Sequence, residues 1–185
     1  MGKIILVTGA VRSGKSEWAE HLALQSQQAV TYIATAVENP DDAEWTARIQ
    51  HHRDRRPDSW HFIAEPKDLA HHLNHLEAEQ CVLIDSLGLW VANHLETAPE
   101  NWYELTTQLI DILSHRPLTT ILVAEETGWG LVPPHIMSRL FRDRLGRLIR
   151  RIGCVADDVY LLAGGHALNL KQLGHPLPNP QTPLL

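Results

Sequence analysis

The segment Gly9-Ala-Val-Arg-Ser-Gly-Lys-Ser16 constrains this chain more than any other. It follows the apolar run Lys3-Ile-Ile-Leu-Val-Thr8 and leads into a stretch of helical character from Ser16 to Gln25. It fits G-x-x-x-x-G-K-[ST] at every fixed position, in the strand–loop–helix context that gives the motif its meaning. The glycines let backbone N–H groups turn inward onto phosphate oxygens. The start of the helix adds partial positive charge. The lysine reaches the β- and γ-phosphates, and the serine hydroxyl ligates Mg²⁺. The motif therefore predicts that Gly9, Ala10, Val11, Arg12, Ser13, Gly14, Lys15 and Ser16 cradle a nucleoside triphosphate, GTP or ATP, with Mg²⁺ as cofactor.

Further β-rich runs follow at 29–34, 81–85, 119–124 and 159–163. Between them, Asp41-Asp42 can cap a helix running through Arg53, residues 67–78 form an amphipathic helix around Leu69, Leu73 and Leu76, and a long helix spans about His135 to Gly153. Alternating strands and helices predict a three-layer α/β fold of the P-loop NTPase type, a mostly parallel sheet with helices on both faces. Ligands of such sheets lie at the carboxyl ends of the strands. The loops after Thr8, Ala34, Ile84 and Val123 should then converge. Asp85 ends one of these strands, where an acidic residue either completes the Mg²⁺ site with Ser16 or caps the turn. Residues 1–173 read as one catalytic domain, and 174–185, with Pro176, Pro178, Pro180 and Pro183, as an extended tail.

Composition bounds the partners. A chain of 185 residues has room for one sizeable core. A net charge of -6 argues against general binding to nucleic acid or anionic membrane. No run approaches the roughly 20 apolar residues of a bilayer span, and the N-terminus lacks a signal-peptide pattern. A cytoplasmic protein is expected, with Cys81 and Cys154 as buried thiols beside apolar runs.

A second chemical centre is suggested by Arg48-Ile-Gln-His-His52-Arg-Asp-Arg-Arg56-Pro57, two histidines among four arginines. On a helix, Trp45, Ile49 and His52 share a face, and Arg48 neighbours His52. Arginines clamp triphosphates by forked hydrogen bonds, and a neutral imidazole among them can attack phosphorus. Composition alone slightly favours a basic, solvated helix end.

The order of motifs decides between these. The phosphate loop, Tyr32-Ile-Ala-Thr35, Arg48-Ile-x-x-His52, Arg56-Pro57 with Trp60, Asp85-Ser-Leu-x-Leu-Trp-x-x-Asn93 and Glu126-Thr-Gly-x-Gly-Leu-Val-Pro133 run in the same order as in one family. Arg139, Phe141-Arg-Asp143 and Gly146 continue the match, which reaches about Ala163. The chain resembles the bifunctional adenosylcobinamide kinases and adenosylcobinamide-phosphate guanylyltransferases. The resemblance implies γ-phosphoryl transfer from a nucleotide to adenosylcobinamide, then transfer of GMP from GTP through a guanylyl-histidine to the corrinoid phosphate. It places the histidine at His52, with Lys15 serving both steps. It places nucleotide contacts at the phosphate loop, Ala34, Thr35, Ala36, Arg53, Asp54, Arg55, Arg56, Glu65 and Asp85, and it implies a homotrimer. Three positions depart from the pattern. Ala64 stands where Glu is common, with Glu65 one residue later; Glu125 stands where Asn is common; and Ile149-Arg150 replaces Asn-Gln.

Two rival readings remain at this point: a phosphate-loop kinase for another small metabolite, which leaves 48–57 idle, and a nucleotide-driven switch, which lacks a distinct partner module. His71, His72 and His75 lie on the polar side of their helix with no carboxylate or cysteine to complete a metal set. The arginines from Arg139 to Arg151 read mostly as a solvated or salt-bridged helix face. Gly128-Trp129-Gly130 reads as a mobile loop near the site, its indole facing the corrin or a neighbouring subunit.

Overall fold

The structure, a computed structural model, describes residues 2–37, 41–43, 47 and 56–177. The strands are β1 (Ile4–Gly9), β2 (Val30–Ala34), β3 (His61–Ala64), β4 (Cys81–Asp85), β5 (Thr119–Glu125), β6 (Asp158–Ala163) and β7 (His166–Asn169). The helices are α1 (Lys15–Gln25), α2 (Leu69–His75), α3 (Leu87–Asn93), α4 (Pro99–His115), α5 (Ile136–Val155) and α6 (Leu170–Leu173). The strands form one sheet in the order β3-β2-β4-β5-β1-β6-β7. Every pairing is parallel except β6 with β7.

Side-chain alternation divides the core in two. Ile4, Leu6, Val82, Ile84, Leu122 and Ala124 point to one face, where α2, α3, α4 and α5 bring Leu73, Trp90, Leu109, Leu145, Leu148 and Ile152. Ile5, Val7, Leu83, Ile121 and Val123 point to the other, packed by α1 through Ala19 and Ala23. These two alanines are fully buried, and their small side chains let α1 lie close on the sheet. Trp18 and Leu22 flank them. Strands buried on both sides need continuous apolar runs, and β1, β4 and β5 have them.

The five expected strands are present, and two more join the sheet. β3 is a largely exposed edge strand held by β2 alone. β7 returns antiparallel onto β6 across the Gly164-Gly165 turn. The expected helix over 67–78 contracts to Leu69–His75, because Asp68 caps its start by accepting from His71 N and the backbone turns extended at Leu76. The helix expected from Asp41-Asp42 to Arg53 lies outside the described residues except for 41–43 and 47, and so does the tail beyond 177.

Two readings of single residues change. Cys81 is fully buried, but Cys154 is only half-buried; both are free thiols. The α5 arginines divide: Arg139, Arg147 and Arg150 are exposed, as a solvated face requires, while Arg142 and Arg151 are half-buried. Arg144 is 6% exposed, and its guanidinium donates to the carbonyls of His94 (2.6 Å), Leu95 (3.3 Å) and Thr97 (2.6 Å). Arg139 holds the carbonyls of Pro133 and Pro134, Arg142 those of Gly128 and Leu131, and Arg151 the hydroxyls of Thr106 and Thr107. A forked cation can serve several such oxygens at once.

Candidate functional site

β1 runs into the phosphate loop at its carboxyl end. A side chain at Gly9 would bring its Cβ within 2.7 Å of both the Leu162 carbonyl oxygen and Ser13 Oγ. Gly14 caps α1 at φ 89, a backbone conformation glycine reaches without strain. Between them Ser13 N donates to the Ala10 carbonyl (3.3 Å), closing the loop. Lys15, 8% exposed, donates from Nζ to that same Ala10 carbonyl at 2.8 Å. The buried Ser13 Oγ and Thr8 Oγ1 have no hydrogen-bond partner among the described residues. Unsatisfied polar atoms lining a loop at a helix N-terminus suit an anionic ligand.

The other strand ends converge on this loop, as expected. A cavity of about 410 Å³ is lined by Arg12, Lys15 and Ser16 from the loop and α1, by Ala34 and Ala36 after β2, and by Asp85 after β4. Glu125 to Thr127 after β5 close it. Arg56 enters from the end of the basic segment, its guanidinium 3.3 Å from the Tyr32 ring centre and its Nε 3.8 Å from Glu20 Oε1. Phe62, the register partner of Tyr32 on β3, stacks with it at 6.1 Å between ring centres. Burial raises the Tyr32 phenol well above its usual value, and the neighbouring Asp85 charge adds to this.

Two expected contacts face elsewhere. Thr35 is fully buried; its Oγ1 donates to the Ser86 carbonyl at 2.6 Å and accepts from Ser86 N at 2.9 Å. Asn93 adds a bond from Nδ2 to the Thr35 carbonyl at 2.9 Å, so Thr35 ties the ends of β2 and β4 together. Glu65 accepts from Lys67 N and Asp68 N at 2.7 Å each and pairs with His72 Nε2 at 2.8 Å. Burial opposes its charge, yet those N–H groups hold the carboxyl below its ordinary value. The His71–His75 contact is likewise local, His75 Nδ1 lying 2.7 Å from the His71 carbonyl. His52, Arg53, Asp54 and Arg55 lie outside the described residues.

Reading the sequence alone missed Ser86, Gly88, Phe62 and the inward role of Glu125. Ser86 caps α3, accepting from Leu89 N at 3.3 Å, and donates from Oγ to Glu125 Oε1 at 2.6 Å. Burial pushes the Glu125 carboxyl above its ordinary range, with Asp85 adding to the shift and the Ser86 hydroxyl and Lys15 opposing it. A Ser before an apolar helical run was the available signal for the cap. A second cavity of about 440 Å³ adjoins, sharing Glu125, Glu126 and Thr127. Its walls are Leu6, Val159 and Leu161 from the sheet and Ile149 and Gly153 from α5. Among the described residues, no helix is long and apolar enough to cross a membrane.

Comparison with known proteins gives the chemistry a context. Residues 5–170 match the family described as cobinamide kinase / cobinamide phosphate guanyltransferase. The chain is 40% identical over 174 residues to the bifunctional adenosylcobalamin biosynthesis protein CobP of Pseudomonas aeruginosa, covering 93% of this chain and 98% of the relative. It is 36% identical over 187 residues to the bifunctional adenosylcobalamin biosynthesis protein CobU of Salmonella typhimurium, covering 91% and 99%. Among solved structures, a prototypical ATPase from the type III secretion system of pathogenic bacteria superimposes with a TM-score of 0.54 at 11% identity, covering 97% of this chain and 55% of that one. At that identity the likeness concerns the fold.

Proposed function

The chain belongs to the cobinamide kinase / cobinamide phosphate guanyltransferase family and is a bifunctional enzyme of adenosylcobalamin biosynthesis, and from that premise we propose that one triphosphate cavity serves both reactions. In the first, the γ-phosphoryl group of ATP or GTP passes to the hydroxyl of adenosylcobinamide. In the second, His52 attacks the α-phosphorus of GTP, pyrophosphate leaves, and the GMP is then handed to the corrinoid phosphate to give adenosyl-GDP-cobinamide. The phosphate loop, residues 9–16, holds the triphosphate for each, with Lys15 on the β- and γ-phosphates. Ala34, Ala36 and residues 53–56 surround the rest of the nucleotide, while Thr35, turned away, ties the ends of β2 and β4, and Glu65 acts at a distance by fixing the loop after β3. Ser16 and Asp85 are the oxygen donors that would hold Mg²⁺. They line the same cavity as Lys15, a donor set that fits a hard cation. When bound, that ion neutralises charge between phosphate oxygens.

One observation carries the histidine assignment. Arg56 lines the cavity together with Lys15 and Ser16. His52 precedes it by four residues, a stretch of chain that spans at most about 14 Å. An imidazole tethered within that reach, with arginines on both sides of it in the sequence, can attack phosphorus in its neutral form. The same arginines offset charge building on the leaving pyrophosphate.

Incubation with α-labelled GTP and Mg²⁺ tests it. The wild-type protein should carry a GMP adduct that is labile to acid and stable to base. His52→Ala should carry none while still phosphorylating adenosylcobinamide. Label retained on the variant overturns the assignment.

The same reading takes residues 1–173 as the catalytic domain and 174–185 as a tail, and places the protein in the cytoplasm as a homotrimer without nucleic-acid partners. Leu131 is 96% exposed, Trp129 77% and Val132 72%. That apolar strip is surface an assembly of identical chains would cover. Light scattering that gives a monomer mass overturns the assembly.

A further inference from the structure

Glu125 carries a buried oxygen that the fold leaves unused. Ser86 has one hydroxyl proton, and it is committed to Glu125 Oε1 at 2.6 Å. Oε2 is buried with no hydrogen-bond partner among the described residues. Such an atom costs stability and calls for an explanation in function. The position of the carboxyl supplies one, because Glu125 borders both cavities. On one side lie Lys15 from α1 and Asp85 from β4, the groups that surround the triphosphate. On the other lies the mainly apolar cavity, whose lining also carries Glu126, Arg142, Arg150 and Lys171; Arg142 is already bonded to the Gly128 and Leu131 carbonyls.

We propose that Glu125 is the general base of the phosphorylation step, taking the proton of an acceptor alcohol that reaches the nucleotide through the second cavity. As the alcohol oxygen bonds to the γ-phosphorus, its proton passes to Oε2. The bond from phosphorus to the bridging oxygen breaks, and the nucleoside diphosphate leaves with that electron pair. Ser86 aims the carboxyl by holding its other oxygen. This rests on the kinase reading above.

The test is Glu125→Gln, which preserves size and an acceptor for the Ser86 hydroxyl. Phosphorylation kcat should fall by about 10²-fold or more, with the nucleotide KM within about twofold of wild type and the melting temperature not lowered. A second variant, Gly88→Ala, retains the acid but displaces it, since the added methyl would overlap the Glu125 carboxylate. Its kcat should fall in the same direction. The proposal is overturned if Glu125→Gln keeps kcat within about threefold, or if its loss tracks a lowered melting temperature, the signature of a structural buttress. A wild-type protein with no phosphorylation activity would instead sink the kinase reading.

Discussion

The two cavities that meet at residues 125–127 are built in opposite ways. The nucleotide cavity draws on strand ends and the loops leaving them, and it gathers Lys15, Ser16, Arg56 and Asp85. The second is walled by side chains from the body of the sheet and from α5, among them Leu6, Ile149, Val159 and Leu161, and is closed by residues 126–129 and 174–177. Parallel strand ends place several charged groups from distant parts of the chain at one edge. A helix lying on a sheet supplies shape instead. The first cavity should respond to the loss of single charges, and the second to changes in volume.

The largest effect tests the charged side. Lys15→Ala should lower both phosphorylation and GMP labelling by about 10²–10³-fold, the cost of one well-placed transition-state contact. If only one activity falls, the two reactions do not share the cavity and the contrast fails. The next effect tests the shaped side. Gly146 lines the second cavity, and a Cβ there meets nothing within 4 Å. Gly146→Leu should raise the KM for the corrinoid acceptor by about tenfold and leave GMP labelling unchanged. A parallel rise in the nucleotide KM would merge the two cavities into one.

The smallest effect concerns the acid between them. The Glu125 carboxyl titrates above its ordinary 4.5 in the folded chain because burial disfavours its charge. Between the unfolded and folded values the native state holds the extra proton, so stability falls as pH rises through that window. Melting of wild type and Glu125→Gln across pH should show the variant gaining as pH rises, by about 2–4 °C if an incompletely paired carboxylate costs roughly 1 kcal/mol. A constant difference between the two curves removes the buried-charge explanation.

What could be read from the sequence follows the range of the interactions. The phosphate loop is local: strand, glycines, lysine and helix lie within 25 residues, and each is present where the motif puts it. β1, β4 and β5 announce themselves because burial on both faces demands unbroken apolar runs. β3 does not, since an edge strand with one neighbour and exposed His61 and Phe62 needs no such run. The Ser86–Glu125 bond joins residues 39 apart, and it exists because β4 and β5 are neighbours in the sheet, which periodicity does not specify. Thr35 shows the same limit. The motif that carries it implies a nucleotide contact, but its side chain works across 51 residues to Ser86. Helical spacing likewise placed Arg144 on α5 without revealing which carbonyls would come to meet it.

That arginine has a consequence for how the family can vary. Arg144 joins the chain's long helix to three carbonyls in the 94–97 connection, and its guanidinium stands 5.1 Å from the Trp102 ring. A lysine has a single ammonium and cannot fork across the same three oxygens. In a saturation library selected for growth, position 144 should be purged of nearly every substitution, lysine included, as stringently as a position that touches substrate. Depletion in such a screen would then reflect scaffold as much as chemistry, and only assays on purified variants would separate the two.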